Sequence, residues 1–566
     1  MILIVISWIY ILFTTINLGF LTDRFLRLKN QNFVLTSILG LFSVTILASI
    51  WAVFGRIHIE FQAFLLLVNL YAVLQFRKEI TSIYQFVHLE FKELQSFLKV
   101  LFIITSILTI AQCSTIPYVI DNESYYIQTI KWLNEYGFVK GIANLHIFLG
   151  QTSGWHITQS VFNFSFLYKN FNDLSGFCLV LGSFFSFQKL NEFYKNNDKT
   201  YLIIGLLPLF NTLLFQFISA PSPDIPVYVF SFILFFYFLE NFKKMTPETF
   251  NILVILVLFL IYIKNTTIAF ALIPVILLVF NFQLLSKKLL QSVLLSLLLL
   301  SLYVIKNMII CGAPLFPSKI LNSVVMSYAI PDPIENYYYN SIKHFGYYLT
   351  KSQYNSMSAA DLFLKWILTP KLGGIFNKLI MLLILIVPFL ISKFQNKKGL
   401  WALYGVMLFQ MLILFVTSPQ YRFFLNFVML FSLFVLACFL QNKKVIHTLL
   451  ILSLIPTIIV LFFPVNLNQF AKHKFMLKIS NFSVENIVFP HSNTKNNTAF
   501  ESIQLGNLKY NSPLENDFFW ANGEGDLPCV NKKQIDYFRK RFNTIPQMRT
   551  NDLKDGFYAK EISENE

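Results

Sequence analysis

Apolar runs of 16 to 22 residues recur along most of this chain, FVLTSILGLFSVTILASIWAVF and KVIHTLLILSLIPTIIVLFF among them. Each is long enough to cross the ~30 Å hydrocarbon core as a helix, the one open-chain form that satisfies its own backbone hydrogen bonds in lipid. Composition agrees. Of 566 residues, 55% are hydrophobic and 13% charged, against about 25% charged in a soluble chain. The fold expected is an all-α polytopic membrane protein. The first run, MILIVISWIYILFTTINLGF, has no basic leader and no small-residue cleavage site, so it reads as a retained span rather than a signal peptide.

The net charge of +16 is carried by small groups between the runs: Arg24/Arg27/Lys29, Arg77/Lys78/Lys92, Lys189/Lys195/Lys199, Lys243/Lys244, Lys287/Lys288, Lys393/Lys397/Lys398 and Lys443/Lys444. No basic domain gathers them, so nucleic acid is not an expected partner; the positive-inside rule accounts for the distribution. The segment WHITQSVFNFSFLY (155–168), about 14 residues long, decides the threading. If it crossed, every later basic group would change sides. If it lies in the interface or re-enters, all of them fall in the cytoplasm, with about 14 spans and both chain ends outside. The organisation then expected is N-terminal spans over 1–113 and a first large outer loop with interfacial helices over 114–171. A transmembrane core with an outer loop at 309–375 follows over 172–465, and a small extracytoplasmic tail over 466–566, disordered in part at KEISENE. The location implied is the cytoplasmic (inner) membrane.

With that threading the unusual polar segments share the extracytoplasmic face: DNES at 121, PSPD at 221, KNTT at 264, KNMIICGAPLFPS at 306 and SPQYRFF at 418. Asp121 and Glu123 stand at a span end, where a carboxylate at depth costs up to ~3 kcal/mol and marks function. Asp121 or Asn122 also reads as the N-cap of the helix that follows. That helix carries Tyr126, Ile130, Leu133 and Tyr136 on one stripe, with Trp132 suited to the headgroup belt. Asp224 opens a span between Pro223 and Pro226, as a helix start or a second site carboxylate. Lys264, Lys306 and Arg422 lie at the same lip, where they suit a phosphate or act as snorkelling anchors. His146 and His156, ten apart, match no zinc spacing and are candidates for acid–base or acceptor contacts, as is Tyr125. Cys113, Cys311 and Cys529 share the outer face and could form a disulfide, whereas Cys178 and Cys438 lie inside spans. No P-loop, nucleophile elbow or dinucleotide fingerprint occurs.

Taken in order, DNESYYIQTIKWLNEYG, GIANLH, APSPDIP, GAPLFPS, SPQYRFF and GDLPC resemble a group of bacterial polytopic membrane proteins within the GT-C superfamily of integral-membrane glycosyltransferases. The resemblance covers roughly residues 100–530. It departs at two positions: Tyr126 stands where relatives usually have His, and Phe148 where they tend to have Arg, which removes a phosphate contact. It implies a lipid-linked sugar donor held by its phosphate on Lys264, Lys306 and Arg422, a glycan or lipid acceptor, and Asp121 as general base. Glu123 and Asp224 would orient the acceptor or join Asp121 around a divalent ion, for which oxygen ligands suit Mg²⁺ or Mn²⁺. A surface-polysaccharide polymerase or ligase and a lipid-linked glycan flippase or transporter are the alternative readings.

Overall fold

The computed structural model of the chain describes residues 1–286, 289–318, 326–465, 482–495, 498–515 and 518–562. Lys287, Lys288 and the last four residues of KEISENE lie outside them. Ten described helices are long and apolar enough to cross a membrane. They are α1 (Ile2–Leu26), α2 (Phe33–Phe54), α5 (Ser96–Cys113), α9 (Lys199–Phe217), α10 (Asp224–Asn241), α13 (Leu289–Cys311), α16 (Lys371–Lys393), α17 (Lys397–Thr417), α18 (Tyr421–Phe439) and α19 (Lys443–Phe462). Between them, α3 (Ile59–Gln75) and α4 (Arg77–Glu93) meet at 93°, and α11 (Pro247–Ile263) and α12 (Asn265–Phe280) are shorter apolar helices. A further buried helix, α8, runs Leu174–Asn196. The protein is thus a multi-pass helical membrane protein.

Small residues let the first two helices touch. A Cβ on Gly40 would lie 1.9 Å from the Thr15 carbonyl oxygen, and one on Gly19 the same distance from that of Thr36. Without a hydrophobic drive between helices in lipid, such close approach and paired polar groups hold a bundle. Here Asn17 donates to Asn69 at 2.9 Å and Tyr262 to Ser49 at 2.9 Å. The basic loops collect at one end of the bundle, where Lys29 meets Glu248 at 3.2 Å, Gln291 donates to the Leu26 carbonyl and Asn396 to that of Leu239. At the opposite end the Met1 amine reaches the Asn486 carbonyl, and the Gly141 N–H that of Ile309.

That second end holds the loop 114–173. Its helices are α6 (Ile127–Glu135) and α7 (Gly154–Val161), and the apolar stripe of α6 is buried in protein. Tyr126, Ile130, Trp132 and Leu133 are each at most 3% exposed. The C-terminal region packs over Gln128 and Trp132 as a folded cap, whereas Tyr126 packs against His156. The cap contains antiparallel β1 (Phe500–Leu505) and β2 (Leu508–Pro513), a helix Lys532–Phe542, and antiparallel β3 (Thr544–Met548) and β4 (Phe557–Glu561). Gln128 donates to the carbonyls of Gly523 and Gly525, and Phe557 sets its ring edge-on to Trp132 at 5.7 Å. Lys560 and Glu561, expected in a disordered end, belong to β4. The stretch 155–168 forms only the eight-residue α7, too short to cross.

Candidate functional site

Asp121 does not cap the helix it precedes: its side chain makes no cap hydrogen bond, and the chain enters a π-helical turn, Asn122–Tyr126. π turns often accompany functional positions. Instead Oδ2 takes the Arg422 Nη1 at 2.6 Å, a contact between residues 301 apart in sequence, while Oδ1 accepts no hydrogen bond among the described residues. SPQYRFF explains how Arg422 gets there. Helix α17 stops at Thr417, Pro419 interrupts, and Tyr421–Phe424 restarts α18 as a 3₁₀ turn. Gln420 accepts from Arg422 Nε at 3.2 Å, and Tyr228 donates to the Arg422 carbonyl at 2.7 Å.

A second ion pair lies beside the first. Asp224, 2% exposed, is bonded to Lys264, the residue that ends α11, and its N–H donates to Ser222 Oγ at 3.3 Å. Phe423 joins the two pairs, with Lys264 4.6 Å and Arg422 5.1 Å from its ring centre. Two carboxylates and two cations therefore balance in a partly dry site. Removing one partner of the deeper Asp224–Lys264 pair costs about 3–5 kcal/mol, because it strands the other charge.

Lys306 and His156 complete the corner. Lys306, 3% exposed, donates to the Thr152 carbonyl and stands over Tyr303. Two residues after that carbonyl, α7 begins with a reciprocal cap in which the Ser153 N–H donates to His156 Nδ1 at 3.3 Å. Burial, with the Lys306 and Lys264 ammoniums nearby, pushes the His156 ring down to about 3. It is a neutral group across the physiological range, with its proton on Nε2. Tyr126 packs 4.8 Å from it and Tyr125 5.8 Å, and Tyr125 donates to Gln151 at 3.3 Å. Burial pushes both tyrosine hydroxyls well up, so they act as donors rather than bases.

Two predicted residues go elsewhere. Glu123 faces the cap: Thr494 Oγ1 donates to it at 2.6 Å and the Lys495 N–H at 3.0 Å, and burial pushes its carboxyl up. It ties the C-terminal region to the loop, while Asp121 is held by Arg422. His146, pushed down to about 4 by burial, bonds the Trp520 carbonyl of the cap at 3.3 Å. Among the described residues no three His, Cys, Asp or Glu side chains come together as a metal set, so Asp121, Glu123 and Asp224 do not converge on one ion. All five cysteines are free and buried, and Cys113, Cys311 and Cys529 form no disulfide. A cleft of about 660 Å³ opens away from the site, between Trp51, Phe54, Phe64 and Glu135, with none of the predicted residues on its walls.

Sequence reasoning missed Tyr338. It comes from the helix Asp332–Gly346 in the long loop, is 2% exposed, and its hydroxyl lacks a partner among the described residues. Phe148 packs between it and Trp520, with centroids at 5.6 and 4.6 Å. The run Tyr337–Tyr339 was the one signal, and it does not say which ring turns inward.

Fold and site define a class: a multi-pass helical membrane protein with paired charges at one end of its bundle, under a C-terminal cap. Within that class, the profile described as "Domain of unknown function (DUF8201)" matches residues 1–429, and the chain belongs to this family. The matched span holds Asp121, His156, Asp224, Lys264, Lys306 and Arg422, and leaves out the cap. No curated protein and no solved structure matches the chain.

Proposed function

We propose that this protein is a GT-C type glycosyltransferase that moves a sugar from a polyprenyl-phosphate-type lipid donor to an extracytoplasmic glycan or lipid acceptor. One observation carries the reading: Asp121 gives up the local role of helix cap and is held by an arginine 301 residues away, with one oxygen free among the described residues. Orienting one carboxylate oxygen while leaving the other open is what a general base needs. The acceptor hydroxyl attacks the anomeric carbon and its proton passes to Asp121 Oδ1. The new C–O bond forms as the anomeric C–O bond to phosphate breaks, with inversion, and the electron pair leaves on the phosphate oxygen. A cation at this lip favours that developing charge, an electrostatic contribution that needs no reorganisation. None of these steps requires Glu123, and none is routed through a metal.

The threading is part of the proposal. Adding α3, α8, α11 and α12 to the ten long spans gives fourteen crossings, with the basic loops in the cytoplasm and the site on the extracytoplasmic side of the inner membrane. The gathering of basic loops at the bundle end opposite Asp121 supports it. A polymerase or ligase is the second reading, favoured by the presence of both Arg422 and His156 in the site. Mass spectrometry of surface glycans from a deletion strain separates the two. Loss of one discrete sugar supports the transferase, a collapse of chain length supports the polymerase, and an unchanged profile removes both.

A further inference from the structure

The three cations of the site are not equivalent. Arg422 is paired with Asp121 and Lys264 with Asp224. Lys306 is as deeply buried as any of them, yet has no carboxylate partner among the described residues. Its ammonium carries three N–H donors, of which one meets the Thr152 carbonyl, and it stands 5.0 and 5.7 Å from the Tyr303 and Tyr262 ring centres. His156 lies in the same corner. It is 0% exposed, and its Nε2 finds no partner among the described residues. Because Nδ1 accepts the Ser153 N–H, the ring proton sits on Nε2. Among the described residues, a buried N–H with no acceptor beside an ammonium with no counter-charge is a donor set that an anion would satisfy.

We infer that Lys306 and His156 form a phosphate subsite, Lys306 supplying the charge and His156 Nε2–H a neutral hydrogen bond to a phosphate oxygen. Arg422 and Lys264, already neutralised, orient Asp121 and Asp224 instead of gripping the anion. This rests on the transferase reading only for the phosphate being the group that leaves the sugar; the binding itself does not depend on it.

The test uses the full chain in lipid nanodiscs, with inorganic diphosphate and dodecyl phosphate as probes in titration calorimetry. Lys306→Met and His156→Phe are expected to weaken dodecyl phosphate by about tenfold or more, the loss typical of a charge-assisted or buried hydrogen bond. Lys306→Arg, which keeps the charge, and His156→Gln, which returns an N–H near the Nε2 position, should recover binding to within about threefold. The charge-neutral double variant Asp224→Asn/Lys264→Met should also stay within about threefold. Binding of dodecyl phosphate alone identifies a lipid headgroup, and equal binding of both probes identifies the phosphate from any source. The subsite is overturned if wild type binds neither probe, if Lys306→Met binds both as wild type does, or if the double variant loses binding as Lys306→Met does. If phosphate binding depends on Lys306 while Asp121→Asn leaves surface glycans intact, the subsite stands and the transferase reading falls. With the converse pattern, glycans lost in Asp121→Asn but binding indifferent to Lys306, the transferase reading stands and the subsite falls.

Discussion

At the scale of single residues, the two acids of DNES have separate jobs. Asp121 points to Arg422 and Glu123 to the cap, two residues apart in sequence. Glu123 is the more testable. Its carboxyl is pushed up by burial, so its folded value lies above its unfolded one. Its contribution to stability is therefore fully present at acidic pH and lost as pH rises through the folded value. Glu123→Gln keeps an acceptor for the Lys495 N–H and removes the buried charge, so thermal unfolding at pH 7 should be unchanged or shifted upward. Glu123→Ala leaves the Lys495 N–H and Thr494 donors facing a void and should cost about 1–3 kcal/mol. Surface-glycan output should survive Glu123→Gln; its loss would return Glu123 to the chemistry. His156, held near 3, stays neutral between pH 5 and 8. The pH profile of transfer over that window should accordingly be the same in wild type and His156→Gln, and a limb present only in wild type would contradict this.

At the scale of elements, α1 and α2 are locked by the crossing of Gly19 and Gly40. Gly40→Ala must push the helices apart, because its Cβ would fall 1.9 Å from backbone rather than from a flexible side chain. Overpacking of this kind costs about 1–3 kcal/mol, so a melting point lowered by several degrees in detergent is expected; an unchanged one would contradict the contact. Elements were the most legible part of the sequence where they cross the bilayer, since an uninterrupted apolar run has one stable form there. They were least legible at α6. Its apolar stripe fits a bilayer surface and a protein surface equally well, and the cap that buries Trp132 is built from residues some 400 positions later. The same limit hid Tyr338, whose inward turn depends on Phe148 and Phe316. Asp121, Asp224, Lys264, Lys306 and Arg422 were legible because a charge next to a span has few favourable places to go. Their pairing was not, because ion pairs between separate spans leave no trace in local spacing.

At the scale of the whole molecule, threading and chemistry depend on each other: the site can meet a lipid-borne sugar and an outer acceptor only if its end of the bundle faces outward. All five native cysteines are buried, so single cysteines report topology without interference. A membrane-impermeant maleimide added to intact spheroplasts should label Lys509→Cys, exposed in the cap hairpin, and spare Lys243→Cys until the membrane is opened. Labelling of Lys243→Cys alone would invert the molecule and remove the site from the face proposed. The central claim is that Asp121 performs chemistry, and the most direct measurement is complementation of the deletion strain with Asp121→Asn. Amounts in the membrane should equal wild type, since the amide still accepts from Arg422, and surface glycans should then be compared by mass spectrometry. Loss of the base should remove about 10²–10⁴-fold of the rate, so wild type restores the missing sugar and Asp121→Asn does not. Full restoration by Asp121→Asn would make Asp121 an anchor for Arg422 and nothing more.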